Sequence, residues 1–347
     1  MTRERTTVIW RFLDGRPGHE NQVRGLSEAL ERIRSVEFFD VCVHDDMKGL
    51  WSFLPSRLLH VASFPAPDLL IGAGHSTHLP LLACSRRYGG RTVVIMKPSL
   101  PVALFDLCLI PEHDTLRFQS GNVVRTEGAL NRIRPSDKQI ADHGLILIGG
   151  LSKHFRWSDE SIAQQVQNLV ARTRLQWTIA ASERTPVSFL KHMQAMCPDV
   201  RLMTPENTSA EWLPDQLERS GTVWVTCDSM SMIYEALTAG ARVGLLELEP
   251  TSPGRISSNI QRLIRSSMVT ACSDWWHGRP LSASAKSFSE ADRCSRIVVE
   301  RCLSANSPIS SGFRIADLLS VPSSGDAANA NLRGLGTLIS EVRIPLR

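Results

Sequence analysis

The sequence lacks the long apolar segments and charge blocks that mark several protein classes. None of its hydrophobic runs approaches the ~20 uncharged residues needed to cross a bilayer. Residues 1–5 lead directly into a strand pattern rather than into the apolar core of a signal peptide, which predicts a cytoplasmic protein. The net charge of +4 comes from arginines spread along the chain, so nucleic acid is not an expected partner.

The eight cysteines also lack an organising pattern. They form no CxxC pair, and no histidine has the spacing that would complete a zinc site. The sequence also has no DxD motif that would suggest a bound divalent cation. Its adjacent aspartates at residues 45–46 (DD) fit a solvated turn instead. We therefore expect reduced thiols, no metal site and no cofactor.

What is present is the composition of a globular protein with two similar halves. A chain of 347 residues, 42% hydrophobic and 21% charged, has the length of about two domains. β-rich runs alternate with helical patterns in both halves, as in the βαβ units of a parallel sheet. The predicted strands are 6–12, 36–43, 68–74, 92–96, 107–110, 145–148, 176–180, 200–203, 222–226 and 242–248. The predicted helices are 18–34, 77–87, 159–173, 187–196, 210–219 and 229–239.

The apolar rhythm stops at 131–143, where we place the interdomain linker. The predicted domains are 1–135 and 144–304. The Ser-, Asn- and Gly-rich segment 305–347 is expected to be irregular, with packing on the first domain as one option. In the first helix Val23, Leu26, Leu30 and Ile33 form the stripe expected to face the sheet.

Residues 14–22 (DGRPGHENQ) lie between the first strand and the first helix. Open α/β sheets bind ligands in such loops. His19 is a candidate general base because an imidazole accepts a proton near neutral pH, and Asp14 would orient it or replace it. The alternative interpretation is that both side chains only cap the helix and pair locally. GxGxxG spacing is missing, so a dinucleotide site is not indicated.

A second loop, residues 72–77 (GAGHST), follows another strand, and Lys97 follows the next. Carboxyl ends of neighbouring parallel strands share one edge of a sheet, so we expect these loops to converge with the first. Ser76 or Thr77 as a helix N-cap, and Lys97 as a solvated charge, are the alternatives. Residues 113–114 (HD) are a weaker candidate at the same edge.

In the second half, residues 149–154 (GGLSKH) lack the Walker A spacing but combine glycines with Ser152 and Lys153. Backbone donors and a cation would suit a diphosphate, whereas a plain turn is the alternative. At 226–240 a strand leads into a helix capped by Ser229 or Ser231. The first amides of that helix are suited to a phosphate, and Glu235 to ribose hydroxyls; a Glu235 that only complements the helix dipole is the alternative.

The pattern Ser-x-Ser-x-x-x-Glu-Ala-x-x-x-Gly at 229–240 resembles the donor-binding helix of GT-B glycosyltransferases. Over about residues 8–264 the chain resembles the Elm-type mitochondrial fission family. The motifs that carry this resemblance are 14–22 (DGRPGHENQ), 72–78 (GAGHSTH), 97–99 (KPS), 111–114 (PEHD), 128–131 (GALN), 149–155 (GGLSKHF) and 228–236 (DSMSMIYEA).

The resemblance implies an α/β fold with two Rossmann-like domains facing a cleft. Bacterial members of the family resemble glycosyltransferases of envelope polysaccharide or lipopolysaccharide synthesis, which implies a nucleotide-sugar donor and a glycan or lipid-linked acceptor. His19 and Asp14 are the predicted catalytic residues. The predicted acceptor-binding residues are Gly15, Arg16, Gly18, Gln22, His75, Ser76 and Lys97. The predicted donor-binding residues are Gly149, Gly150, Ser152, Lys153, Asp228, Ser229, Ser231, Met232 and Glu235.

Two other functions stay open at this point. A nucleotide-sugar 2-epimerase uses the same architecture without an acceptor, and a non-catalytic scaffold would keep the fold without nucleotide affinity. The amphipathic stretch 47–60 suits peripheral contact with the inner face of a membrane, and ordinary core packing is its alternative.

Overall fold

The computed structural model describes residues 5–43, 61–112, 114, 116, 120–282 and 288–304. The amphipathic stretch 47–60, His113 and the segment 305–347 lie outside the described residues. The described part contains two six-stranded parallel sheets and one two-stranded antiparallel pair. None of its helices is long and apolar enough to cross a membrane.

The first sheet has the strand order β2-β1-β3-β4-β5-β6. The order reverses between β1 and β3, because the chain adds β2 on one side of β1 and the later strands on the other. Its strands are β1 (Thr7–Leu13), β2 (Val36–Cys42), β3 (Leu69–Ala73), β4 (Arg91–Ile95), β5 (Leu107–Pro111) and β6 (Val123–Thr126). Its helices are α1 (Pro17–Glu31) and α2 (His78–Tyr88), with 3₁₀ turns at His75–Thr77 and Val102–Leu104.

The second half is built from a longer series of elements. Its strands are β7 (Ile140–Ile148), β8 (Phe155–Arg156), β9 (Gln176–Ala181), β10 (Arg201–Met203), β11 (Ser220–Thr226), β12 (Arg242–Leu246), β13 (Glu249–Pro250) and β14 (Thr270–Ala271). Its helices are α3 (Asp159–Arg172), α4 (Val187–Met196), α5 (Trp212–Arg219), α6 (Met230–Thr238), α7 (Arg255–Arg265) and α8 (Cys272–Trp276), with a 3₁₀ turn at Pro205–Asn207.

The second sheet has the order β10-β9-β7-β11-β12-β14, and β8 pairs with β13. Numbered within this half, the order is that of the Rossmann fold, with its reversal between β7 and β11. Open α/β sheets bind ligands outside the carboxyl ends of the strands at such reversals. The fold therefore places one candidate site in each half.

Each sheet is covered by helices on both faces, so its central strands are apolar along their whole length. β3 and β5, for example, are buried at every residue. The predicted stripe on α1 is buried at Val23, Leu26 and Leu30, but Ile33 is 46% exposed. Ile33 lies beyond the end of α1, where its amide closes a turn to the Leu30 carbonyl, so it leaves the stripe.

The last described helix, α9 (Glu290–Val298), and the π-helical turn Val299–Leu303 pack on the first half of the chain. Cys294, Val298 and Cys302 are buried in the same core cluster as the α1 stripe. The chain thus returns to the first half before residue 304, within the range 144–304 predicted for the second domain. The physical reason is that α9 buries its apolar face against α1.

Candidate functional site

The first candidate site lies at the β1/β3 reversal and contains His19, Asp14 and Ser76. His19 Nδ1 lies 2.9 Å from Asp14 Oδ2, and Ser76 Oγ donates to the same oxygen at 2.9 Å. The Arg16 amide donates to Asp14 Oδ1 at 3.2 Å. The Asp14 side chain is 1% exposed, and that of His19 is 18% exposed. The structure thus brings together two loops that sequence analysis expected to converge.

The hydrogen bonds around Asp14 favour its ionised form. Burial opposes the ionisation of Asp14, but the bonds from His19, Ser76 and the Arg16 amide outweigh it and lower the pKa of Asp14 below its ordinary value. An ionised carboxylate only accepts hydrogen bonds, so His19 must donate from Nδ1. In a neutral ring with its proton on Nδ1, Nε2 is the acceptor, and that tautomer is the form that a general base requires.

The local sequence explains why His19 reaches this position. α1 begins with Pro17 at its first turn, as helices often do. Gly74 has a φ of 88°, and a Cβ there would lie 2.2 Å from His19 Nδ1. Only glycine leaves room for the imidazole ring beside β3. His19 and Asp14 pair locally, as the alternative interpretation expected, but neither side chain caps α1.

A second histidine cluster adjoins this pair. Ser99 Oγ lies 2.8 Å from His75 Nδ1 and 3.1 Å from His78 Nδ1. Burial and the nearby His75 and His19 lower the pKa of His78 to about 4, so His78 is neutral at pH 7. His75 is exposed at the rim of the site, whereas His78 is buried beneath it.

The other predicted acceptor residues are placed unevenly. Gly15 and Gly18 have no atoms within 4 Å of an added Cβ, so both face open space. Arg16 and Lys97 are exposed. Gln22 is 8% exposed and donates to the Gly18 carbonyl, so its side chain lies behind the loop rather than at its open side.

The second candidate site lies at the β7/β11 reversal. The Gly149 amide donates to Thr226 Oγ1 at 2.7 Å, and the Gly150 amide donates to Asp228 Oδ2 at 3.1 Å. Both glycine amides are therefore hydrogen-bonded within the protein, and their role in a diphosphate cradle stays a prediction. The packing here is close, because a Cβ on Gly149 would lie 2.4 Å from Asp228 oxygens.

Asp228 forms the floor of this second site. Its side chain is fully buried and pairs with Arg184 at 2.8 Å. Sequence analysis did not identify Arg184, which follows β9 and has no motif of its own. Ser152 Oγ accepts from the His154 amide, and Lys153 is exposed beside it.

α6 begins two residues after Asp228. Ser229 occupies the N-cap position, but its side chain makes no capping hydrogen bond, contrary to the predicted cap. The amides of Met230, Ser231 and Met232 have no acceptor among the described residues. They follow the rule that the first N–H groups of a helix lack intrahelical partners. This amino end is the part of the second site with free donors.

Glu235 lies one turn into α6 and is buried, with 8% exposure. Asn21 Nδ2, on α1, donates to Glu235 Oε1 at 2.8 Å. Burial raises the pKa of Glu235 to about 7, although the Asn21 hydrogen bond acts in the opposite direction. Asn21 lies within the motif 14–22, but the sequence predicted no role for it, because its partner is 214 residues away.

The Asn21–Glu235 bond brings α1 of the first site next to α6 of the second. A cavity of about 250 Å³ borders α1 and the connecting segment between the halves, and Asn21 is one of its walls. It is lined by Gly15, Pro17, Glu20, Asn21, Arg24 and Arg132. Within the described ranges, no group of three His, Cys, Asp or Glu side chains is arranged to hold a metal ion.

Comparison with known proteins places this geometry in a family and a fold. The sequence matches the family described as Mitochondrial fission ELM1 over residues 17–302. None of the curated proteins compared with it matches. The structure resembles UDP-GlcNAc 2-epimerase from Methanocaldococcus jannaschii, with a TM-score of 0.57, 10% identity, and coverage of 85% of this chain and 100% of that one.

It also resembles UDP-GlcNAc 2-epimerase from Neisseria meningitidis, solved bound to UDP-GlcNAc. That likeness has a TM-score of 0.55 and 11% identity, and it covers 85% of this chain and 99% of the other. At these identities the likeness shows the fold alone. The predicted α/β architecture, with two Rossmann-like halves of GT-B type, is confirmed.

Proposed function

Since the chain belongs to the mitochondrial fission ELM1 family and has the GT-B fold, we propose that it is a glycosyltransferase. It would move a sugar from a nucleoside-diphosphate donor to an envelope glycan or lipid-linked acceptor. The observation that carries the proposal is the His19–Asp14 pair, with His19 on the same helix as Asn21, whose side chain bonds Glu235 of α6. A fold alone does not determine chemistry, so the argument depends on these side chains.

In the proposed reaction, His19 Nε2 takes the proton of the acceptor hydroxyl. The acceptor oxygen then bonds to the anomeric carbon while the bond from that carbon to the diphosphate breaks. Asp14 stabilises the imidazolium that forms. The negative charge on the departing diphosphate is met by the amides of residues 230–232 and by Lys153, so the proposed transfer needs no divalent cation.

The likeness to two epimerases supports nucleotide-sugar 2-epimerase as a second candidate. The two functions differ in their need for a second substrate. An epimerase converts the nucleotide-sugar alone, whereas a transferase releases the nucleoside diphosphate only when an acceptor takes the sugar. A panel of radiolabelled nucleotide-sugars, each incubated with and without an envelope-glycan fraction, separates the two.

The same assay tests the base. We expect acceptor-dependent release of nucleoside diphosphate by the wild-type protein and its loss in His19→Ala, with nucleotide binding nearly unchanged. A general base contributes about 10²–10⁴-fold to rate, which sets the expected loss. Turnover by His19→Ala at the wild-type rate would rule out His19 as the base.

A further inference from the structure

The contact between Asn21 and Glu235 joins the two halves at the donor helix. Asn21 lies in α1, two residues after His19, whereas Glu235 lies in α6. The 2.8 Å bond from Asn21 Nδ2 is the only hydrogen bond that the Glu235 carboxylate makes with the described residues. A side chain of the first half therefore sets the direction of a carboxylate of the second.

Among the described residues, no cation pairs with the Glu235 carboxylate. The charged groups that line the cavity beside Asn21 are Glu20, Arg24 and Arg132, and the titratable residues near Asn21 or Glu235 in sequence are His19, Asp228 and Tyr234. Their partners lie elsewhere: Arg24 approaches Glu20, Arg132 pairs with Glu28 and Glu211, Asp228 pairs with Arg184, and Tyr234 bonds Asn259. His19 faces Asp14.

A buried carboxylate without a cation is expensive to ionise unless a donor bonds it. For Glu235 that donor is the Asn21 amide, and the pKa of Glu235 of about 7 reflects burial partly offset by this bond. Loss of the amide would raise the pKa further and leave the side chain neutral at pH 7. The contact thus affects both the direction and the charge of Glu235.

We propose that Asn21 is a positioning residue for the donor: its amide orients the Glu235 carboxylate toward the ribose hydroxyls. This inference rests on the proposed function, in which α6 binds the nucleotide and Glu235 the ribose. It adds that donor recognition depends on the first half, through the same helix that carries His19. His19 at the acceptor site and Asn21 at the donor site are then two residues apart on the same helix, α1. The helix fixes their separation.

Calorimetric titration between pH 6 and pH 9 tests the proposal. The probe is the nucleoside diphosphate that binds most tightly in a panel, compared with its 2′-deoxy counterpart. For the wild-type protein we expect affinity to fall below a midpoint near pH 7, because Glu235 then becomes protonated. We also expect a preference for the ribose form.

In Asn21→Ala the midpoint should move up by about one pH unit, which weakens binding at pH 7 by about fivefold and leaves binding at pH 9 close to that of the wild type. Asn21→Asp should move it further, because two carboxylates then face each other. The preference for ribose should vanish at pH 7 in both variants. Asn207→Ala is the matched control and should keep the wild-type profile, because Asn207 is exposed and its side chain bonds Thr204.

The possible failures are distinguishable. If the nucleotide binds and Glu235→Ala weakens it, but Asn21→Ala keeps the wild-type midpoint, the inference is wrong and the proposed function stands. Equal weakening of Asn21→Ala at every pH would indicate a merely structural contact and would also overturn the inference. If no nucleoside diphosphate binds the wild-type protein, the proposed function fails and the inference fails with it.

Discussion

At the scale of single residues, Asp14 determines what His19 can do. Asp14 accepts from Ser76 and His19 at one oxygen and from the Arg16 amide at the other, so all its bonds require an acceptor. In Asp14→Asn the amide nitrogen must replace one of these oxygens and oppose a donor. We expect turnover to fall by about 10²-fold or more, with nucleotide affinity unchanged.

Steady-state kinetics and calorimetry on the same preparation of Asp14→Asn measure these two quantities. Ser76→Ala is the graded comparison, since it removes one of the bonds to Asp14 and leaves the carboxylate. Its loss of turnover should be smaller. Wild-type kinetics for Asp14→Asn would show that Asp14 does not control the ring of His19.

Glu235 and His78 give the stability of the protein opposite dependences on pH. Folding raises the pKa of Glu235 from 4.5 to about 7, so the folded state retains a proton in that window and stability falls as pH rises through it. Folding lowers the pKa of His78 from 6.5 to about 4, so stability rises with pH over that window. The two effects oppose each other where the windows overlap.

Glu235→Gln removes the first effect and keeps an acceptor for Asn21. The free energy of unfolding of the variant, relative to the wild type, should therefore increase between pH 4.5 and about pH 7. The difference amounts to about 3 kcal/mol at most. Urea unfolding at several pH values measures it, and parallel curves for the two proteins would contradict the assigned pKa of Glu235.

Sequence analysis identified His19, Asp14 and Ser76 because each lies in a loop that follows a strand, where the topology alone brings them together. It did not identify Asn21 or Arg184 as partners of Glu235 and Asp228. Those contacts depend on how α1 meets α6 and how the loop after β9 folds over β11, and no local pattern encodes either. The burial of Glu235 was missed for the same reason.

At the scale of elements, the glycines of the two sites differ in what they do. Gly150 has a φ of 151°, and a Cβ there would lie 2.0 Å from the Arg184 carbonyl oxygen. A Cβ added at Gly18 would have no atom within 4 Å. Gly150 is thus required for packing, whereas Gly18 leaves space at the open side of the His19 loop.

We expect Gly150→Ala to lower the free energy of unfolding by about 3 kcal/mol or more, through backbone strain and overlap with a carbonyl. The matched variant Gly18→Ala should keep or slightly increase stability, because alanine favours the helix. Thermal unfolding measures both. A Gly150→Ala protein as stable as the wild type would contradict the described packing of this loop.

Strands and helices with strong apolar periodicity were predicted within a few residues of their ends, as at α4 and β9. β7 was predicted too short, because its first residues up to His143 are polar or exposed and were assigned to the linker. α7 and α9 were not predicted at all. Both have apolar residues at helical spacing, as at Ile256, Ile260 and Leu263 of α7, so the local signals were present but not used. What the sequence does not show is the packing of α9 on α1.

At the scale of the whole molecule, α9 ties the end of the described chain to the first half. Arg32 pairs with Asp292, and the Glu127 amide donates to Glu290 Oε2. Val298 is fully buried in the core cluster of the first half. The site in the first half therefore depends on a segment that follows the entire second half in sequence.

Val298→Asp places an unpaired carboxyl in that core, so we expect a loss of about 3 kcal/mol or more of stability. Hydrogen exchange should show the loss of protection in α1 and β1 rather than in β7 and β9. Val187→Asp is the matched control, because Val187 is 66% exposed, and it should leave exchange unchanged. A loss of hydrogen-exchange protection confined to the second sheet would contradict the packing of α9 on the first half.

The overall architecture was predictable because the strand and helix rhythm repeats on either side of a break. The crossing of α9 was not, since a helix of this composition fits either half when only the sequence is considered. The consequence for function is that the His19 loop, α6 and α9 form one connected unit, joined by Asn21 and by the packing of α1.

The central claim is that the amino end of α6 binds a nucleoside diphosphate opposite His19. A crystal structure of the protein with the tightest-binding nucleoside diphosphate tests it most directly. We predict the diphosphate within hydrogen-bond distance of the amides of residues 230–232, with the ribose at Glu235. A nucleotide bound elsewhere, with those amides unchanged, would contradict the account.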